Sequence, residues 1–102
     1  MSAIDRLLQE LRRQNGSDLH LVASLPQRLR VHGALLPIAG HAPISDDDLS
    51  EMFEEIAPED QWDAFETSAD VDFAYALPVV ARFRVNLFRQ QWGVAAVFRG
   101  IP

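Results

Sequence analysis

Apolar positions along this chain recur with two spacings, and the switches between them divide it into elements. Ile4, Leu7, Leu8 and Leu11 fall at i, i+3, i+4 and i+7, which predicts an amphipathic helix over 3–14. Ser2 is placed to cap it, and Asn15-Gly16 supplies a left-handed stop. Leu19-His20-Leu21-Val22 then reads as a strand ended by Ser24-Leu25-Pro26. In 28–32 Leu29 and Val31 alternate with Arg28 and Arg30, and His32-Gly33 is a two-residue turn into a partner strand over 34–38. Ser45 followed by Asp46, Asp47 and Asp48 marks a helix start, with acids against the positive end of the helix dipole. Leu49, Met52, Phe53 and Ile56 give its buried stripe; Pro58 opens another short helix with Trp62 and Phe65 facing inward.

Period-two alternation returns for the rest of the chain. Val71, Phe73, Tyr75 and Leu77 alternate with Asp72, Ala74 and Ala76, and Phe83, Val85 and Leu87 oppose Arg82, Arg84, Asn86 and Gln90. Trp92-Gly93 turns the chain into a last strand over 94–99. The order is helix, three strands, two helices, three strands. Short hairpin spacing in the second half predicts an α+β fold, an antiparallel sheet with helices on one face.

Charge changes the picture more than composition does. The 102 residues, 48% of them apolar, suit one domain with one core. No cysteine is present, so disulfides, thiolate metal sites and cysteine nucleophiles are excluded, and a reducing, cytoplasmic setting fits. No apolar run approaches the roughly 18 residues of a membrane span, and no direct membrane insertion is expected. The net charge of −6 is unevenly spread: 41–80 carries twelve acids and no base, whereas 81–102 carries four Arg and no acid. That layout suits charge-steered docking to a protein partner, and without an overall basic excess nucleic acid is not an expected partner.

All nine basic residues are Arg. Without lysine the chain has no phosphate-binding P-loop and no Schiff-base chemistry. Ser17, Asp18 and His20 are the residue types of a Ser-His-Asp triad, but in a strand Asp18 and His20 point one way and Ser17 the other, so strand entry is the expected role. His20, His32 and His41 match no compact metal-ligand spacing, and Asp46-Asp47-Asp48 lacks the glycine and distal glutamate of a calcium loop. It reads as a helix start on a solvated face. The arginines of the last strands stand apart. Arg82, Arg84 and Asn86 share a strand face, and Arg99 lies on the next strand. Adjacent guanidinium groups call for carboxylates or phosphates; Asp70, Asp72 or the acidic helices are candidate partners within the chain.

Several of these segments together resemble the PilT-type twitching-motility ATPases, which retract type IV pili. They are Gly16-Ser17-Asp18-Leu19-His20-Leu21, Pro26 with Arg30-Val31-His32-Gly33, Asp72-Phe73-Ala74-Tyr75, and the run from Ala81 to Gln91 followed by Gly93 and Ala96 to Pro102. The resemblance covers nearly the whole chain in the expected order. It implies an N-terminal PAS-like α+β domain, spanning 1–102, of a secretion-superfamily ATPase. In such proteins a flexible linker joins this domain to a RecA-like core that carries the Walker and His-box motifs and assembles into a hexameric ring. The fragment alone is then not expected to hydrolyse ATP or to bind a cofactor.

For the full-length protein the resemblance implies ATP and Mg as cofactors and a homohexamer. Its partners would be the RecA-like core of its own and neighbouring subunits and the inner-membrane platform of the pilus machine. By motif position it assigns Arg84 and Arg99 to contact with the nucleotide's terminal phosphate, and leaves Arg82 as a salt-bridge former. The acidic helices of 45–66 would face basic groups on a core domain. Ala23-Ser24-Leu25-Pro26-Gln27 departs from the family's usual glycine and paired prolines, and the PilU-type paralogue shares the same motifs. Two other readings rest on the residues: a stand-alone PAS-like sensor with a pocket lined by Trp62, Phe65, Tyr75 and Trp92, and a small enzyme using His20 with Asp18 or Asp72.

Overall fold

The computed structural model describes residues 2–102. Helix α1 (Ala3–Arg13) precedes strands β1 (Asp18–Val22), β2 (Arg28–Val31) and β3 (Ala34–Pro37). Helices α2 (Asp46–Ile56) and α3 (Glu59–Ser68) follow, and β4 (Asp70–Leu77), β5 (Ala81–Gln90) and β6 (Gly93–Ile101) complete the order. This is the expected α+β, PAS-like arrangement: one six-stranded antiparallel sheet ordered β3-β2-β1-β6-β5-β4.

Local chemistry sets the element ends. Ser2 Oγ accepts the Asp5 N–H at 3.1 Å and the Asp5 carboxylate accepts the Ser2 N–H at 3.3 Å, a reciprocal cap that satisfies two orphan donors of α1. After α1, Asn15 takes the left-handed conformation (φ 56°). Gly16 is needed for a different reason: a Cβ there would sit 2.9 Å from the Arg30 carbonyl oxygen and 2.5 Å from Leu11 Cδ1. His32 and Gly33 are both left-handed (φ 50° and 81°), the two-residue turn that suits the twist of the β2–β3 hairpin. Ser24, in the segment that departs from the family pattern, also holds a left-handed φ of 67°.

The helices all pack on one face of the sheet. Ile4, Leu8 and Leu11 of α1, Leu49 and Phe53 of α2 and Phe65 of α3 are buried in a single cluster with Leu19, Leu21, Phe83, Val85, Leu87 and Phe98 of the strands. Each such side chain contributes about 1.5–3 kcal/mol through removal from water. Trp62 is partly buried beside Phe65, with ring centroids 5.4 Å apart, whereas Trp92 is half exposed in the β5–β6 turn. The four aromatic residues therefore do not converge on a pocket as the sensor reading requires: Tyr75 instead donates its hydroxyl to Asp5 Oδ1 at 2.5 Å, joining β4 to α1.

The acidic start of α2 is more than a solvated face. Asp46 reaches across to β6, where its Oδ1 accepts the Val94 N–H at 2.8 Å. Gly93 makes room for it: a Cβ at that position would stand 2.3 Å from Asp46 Oδ1, and the backbone there has φ 125°, a conformation L-residues rarely adopt. Gly93→Ala should lower stability by about 2 kcal/mol or more in denaturant unfolding, through both strain and loss of the Asp46 contact.

Burial, then the hydrogen bond to Asp5, pushes the Tyr75 hydroxyl up to about 12. The unfolded chain would release this proton near pH 10 while the folded chain keeps it, so stability falls as pH rises between those values. The chain has one Tyr, no Cys and no Lys, which leaves Tyr75 as the side chain that titrates there. Stability should drop by up to ~1.4 kcal/mol per pH unit between about pH 10 and 12, and Tyr75→Phe should flatten that slope.

Candidate functional site

The face of the sheet opposite the helices carries the chain's concentrated positive charge. Side chains alternate along each strand, so Phe83, Val85 and Leu87 in the core send Arg82, Arg84 and Asn86 to this second face. On β6, Phe98 points into the core and Arg99 away from it. The β5–β6 register makes Arg84 and Arg99 direct cross-strand partners, both exposed. Partners of this kind have Cβ atoms about 4.5–5.5 Å apart, and like charges so placed repel.

The row extends across the sheet through β1 and β2. Asp18 is the cross-strand partner of Arg99 on one side and of Arg30 on the other. Asp18 is 8% exposed and its carboxylate is heavily engaged. Its Oδ1 accepts the Ser17 hydroxyl at 2.6 Å; its Oδ2 contacts His20 Nε2 and accepts Arg30 Nε–H at 3.4 Å. Burial pushes the carboxyl up, but the Ser17 and His20 hydrogen bonds and the charges of His20 and Arg30 together outweigh it and hold it below its ordinary value. Arg30 also donates to the Gly33 carbonyl at 3.2 Å. The expected role of this segment as a strand entry understates it: Ser17, Asp18 and His20 form a hydrogen-bonded group. It is not a catalytic triad, because the carboxylate sits between serine and histidine and nothing links His20 to the Ser17 hydroxyl.

The carboxylates expected to neutralise the arginines do not do so. Asp70 accepts Asn86 Nδ2 at 2.9 Å, and among the described residues no ion pair involves Arg82, Arg84 or Arg99. Arg82, expected as a salt-bridge former, is exposed and sits opposite Ile101, an apolar partner that supplies no counter-charge. Arg89 lies on the helix side, 4.7 Å above the Phe65 ring, where cation and ring face attract. Beside Arg84, a shallow cavity of about 270 Å³ is lined by Asp72, Phe73, Ala74 and Ile101.

Guanidinium forks on adjacent strands offer several N–H donors in fixed planes, the geometry that phosphate or carboxylate oxygens accept. This donor set suits an oxyanion that both forks can reach. With no lysine, it does not fit a complete phosphate cradle. Among the described residues no group of three or more His, Asp or Glu could hold a metal ion; His32 lies in the β2–β3 turn and His41 in an exposed loop. Alternation placed Arg82, Arg84 and Asn86 on one strand face with Arg99 on the next strand, and the family resemblance alone singled out Arg84 and Arg99. Asp18 and Arg30 were not tied to them, because β1 and β6 lie at opposite ends of the chain and no local turn announces their pairing.

No protein-family model matches the chain. The PilT type IV pilus retraction ATPase of Pseudomonas aeruginosa is 40% identical over 97% of this chain. A twitching motility protein of Neisseria gonorrhoeae is 37% identical over 79%. A crystal structure of the pilus retraction motor PilT with bound ADP superposes over 100% of the chain with a TM-score of 0.89 at 27% identity. The chain spans 28% of the Pseudomonas relative's length and 29% of the crystallised motor's. The chain belongs to the PilT-type family of type IV pilus ATPases, whose N-terminal domain it matches in sequence and fold.

Proposed function

We propose that residues 1–102 form the N-terminal domain of a pilus retraction ATPase and lend Arg84 and Arg99 to its nucleotide site. The observation that carries this reading is the pairing of two exposed guanidinium groups across β5 and β6 with no carboxylate partner among the described residues. Such a pair is costly in isolation and is relieved by an anion that both forks can grip. The relatives are ATPases, and the PilT structure that superposes on the whole chain contains ADP.

In this reading a RecA-like core supplies the P-loop, binds ATP with Mg and carries the hydrolytic chemistry. The domain packs against its own and a neighbouring subunit's core in a homohexamer, at the cytoplasmic side of the pilus platform. Arg84 and Arg99 approach the terminal phosphate when domains close, orient it, and offset the charge that develops there during phosphoryl transfer. The twelve acids of 41–80 lie on the α2–α3 side and on β4, and give the domain a second, oppositely charged surface for steering it onto a core.

In the full-length protein, Arg84→Ala or Arg99→Ala should cut ATP turnover by roughly a hundredfold or more, by analogy with arginine fingers. The circular dichroism spectrum and melting temperature should stay close to wild type, because both side chains are exposed. Wild-type turnover in both variants would contradict the proposal.

A further inference from the structure

Resting on the reading of Arg99 as a phosphate contact, we infer that Ser17, His20 and Arg30 act as positioning residues that hold Asp18 away from Arg99 and so keep its guanidinium free for an anion. Asp18 is the nearest carboxylate by register, a direct cross-strand partner of Arg99. A carboxylate and a guanidinium so placed would ordinarily pair. They do not pair: Asp18 is bound by Ser17 Oγ on one oxygen and by His20 and Arg30 on the other.

Backbone bonds fix this arrangement. The Ser17 N–H donates to the Arg30 carbonyl at 2.9 Å and the Gly100 N–H donates to the Ser17 carbonyl at 3.3 Å, so the segment is tied to β2 on one side and β6 on the other. Across the sheet the row reads Arg30, Asp18, Arg99, Arg84, Ala74. One negative charge stands among three guanidiniums, and the bonds direct it to Arg30, leaving the two at the far side unneutralised. Asp18 is 8% exposed, so its charge needs close partners. If His20 and Arg30 were removed, Arg99 would be the cation beside it, and capture would follow. The Ser17-Asp18-His20 segment thus acts on the anion site without touching the anion.

The test uses the 102-residue chain with His20→Leu and Arg30→Leu combined, and Arg30→Leu alone in case the double variant does not fold. The first readout is the Arg99 Nε–H signal in a nitrogen-proton NMR spectrum. Wild type should show it in fast exchange with water; the double variant should show it shifted and slowed by pairing with Asp18, and Arg30→Leu should show a partial shift. Adding Asp18→Asn to the double variant should return the Arg99 signal to its wild-type position, which a merely structural role of the group would not do. The second readout is titration with pyrophosphate, whose binding should weaken about tenfold in the double variant and recover on Asp18→Asn. An Arg99 signal unchanged in the variants overturns the inference. A shifted and rescued Arg99 signal supports it even where pyrophosphate binds no form of the chain, and that second result would count against the phosphate-contact reading alone.

Discussion

A sheet covered on one face only must present a second face to water, and the chemistry of that face depends on the same alternation that builds the core. Every residue that sends Phe83, Val85, Leu87 or Phe98 inward fixes a neighbour outward. On β5 and β6 those neighbours include Arg82, Arg84 and Arg99. A slip of one residue in the β5–β6 register would bury guanidiniums and expose phenylalanine, so packing energy on one side enforces the charge pattern on the other. The helices contribute indirectly: α1, α2 and α3 bury the apolar face and thereby hold the register that sets Arg84 opposite Arg99.

Particular contacts fasten this layering at places remote from the arginines. The Tyr75 hydroxyl on Asp5 joins the edge strand β4 to the capped start of α1. Asp46 on the Val94 N–H joins the start of α2 to β6, the strand that carries Arg99. Each uses a charged group near a helix N-terminus for two purposes, complementing the helix dipole and accepting a bond from the sheet. The Arg89 side chain, aligned with the core-facing residues of β5, lies over Phe65 and covers the edge of the same core.

Much of this could be read from residue spacing. Helical periodicity located α1 and α2, strict alternation located β4 and β5, and His32-Gly33 announced its hairpin through the turn chemistry alone. What stayed hidden depended on contacts between distant segments. Nothing near Asp18 signals that β6 will lie beside it, so the Asp18 group and the Arg99 row were legible only once β1 and β6 had been paired. Asp46 looked like an ordinary helix-start acid for the same reason. The arginines illustrate the opposite case. Their strand faces followed from alternation, but the expected neutralisation by Asp70 or Asp72 failed, because Asn86 engages Asp70 and the register places alanine opposite Arg84 on β4.

Arg84 and Arg99 thus face each other across β5 and β6 as exposed cations, with no ion pair to either among the described residues. The most direct measurement is a structure of the full-length protein with a non-hydrolysable ATP analogue. The account predicts Arg84 and Arg99 nitrogens at about 2.7–3.2 Å from the terminal phosphate oxygens in at least the closed subunits. A terminal phosphate met by core residues alone, with both arginines in solvent in every subunit, would contradict it.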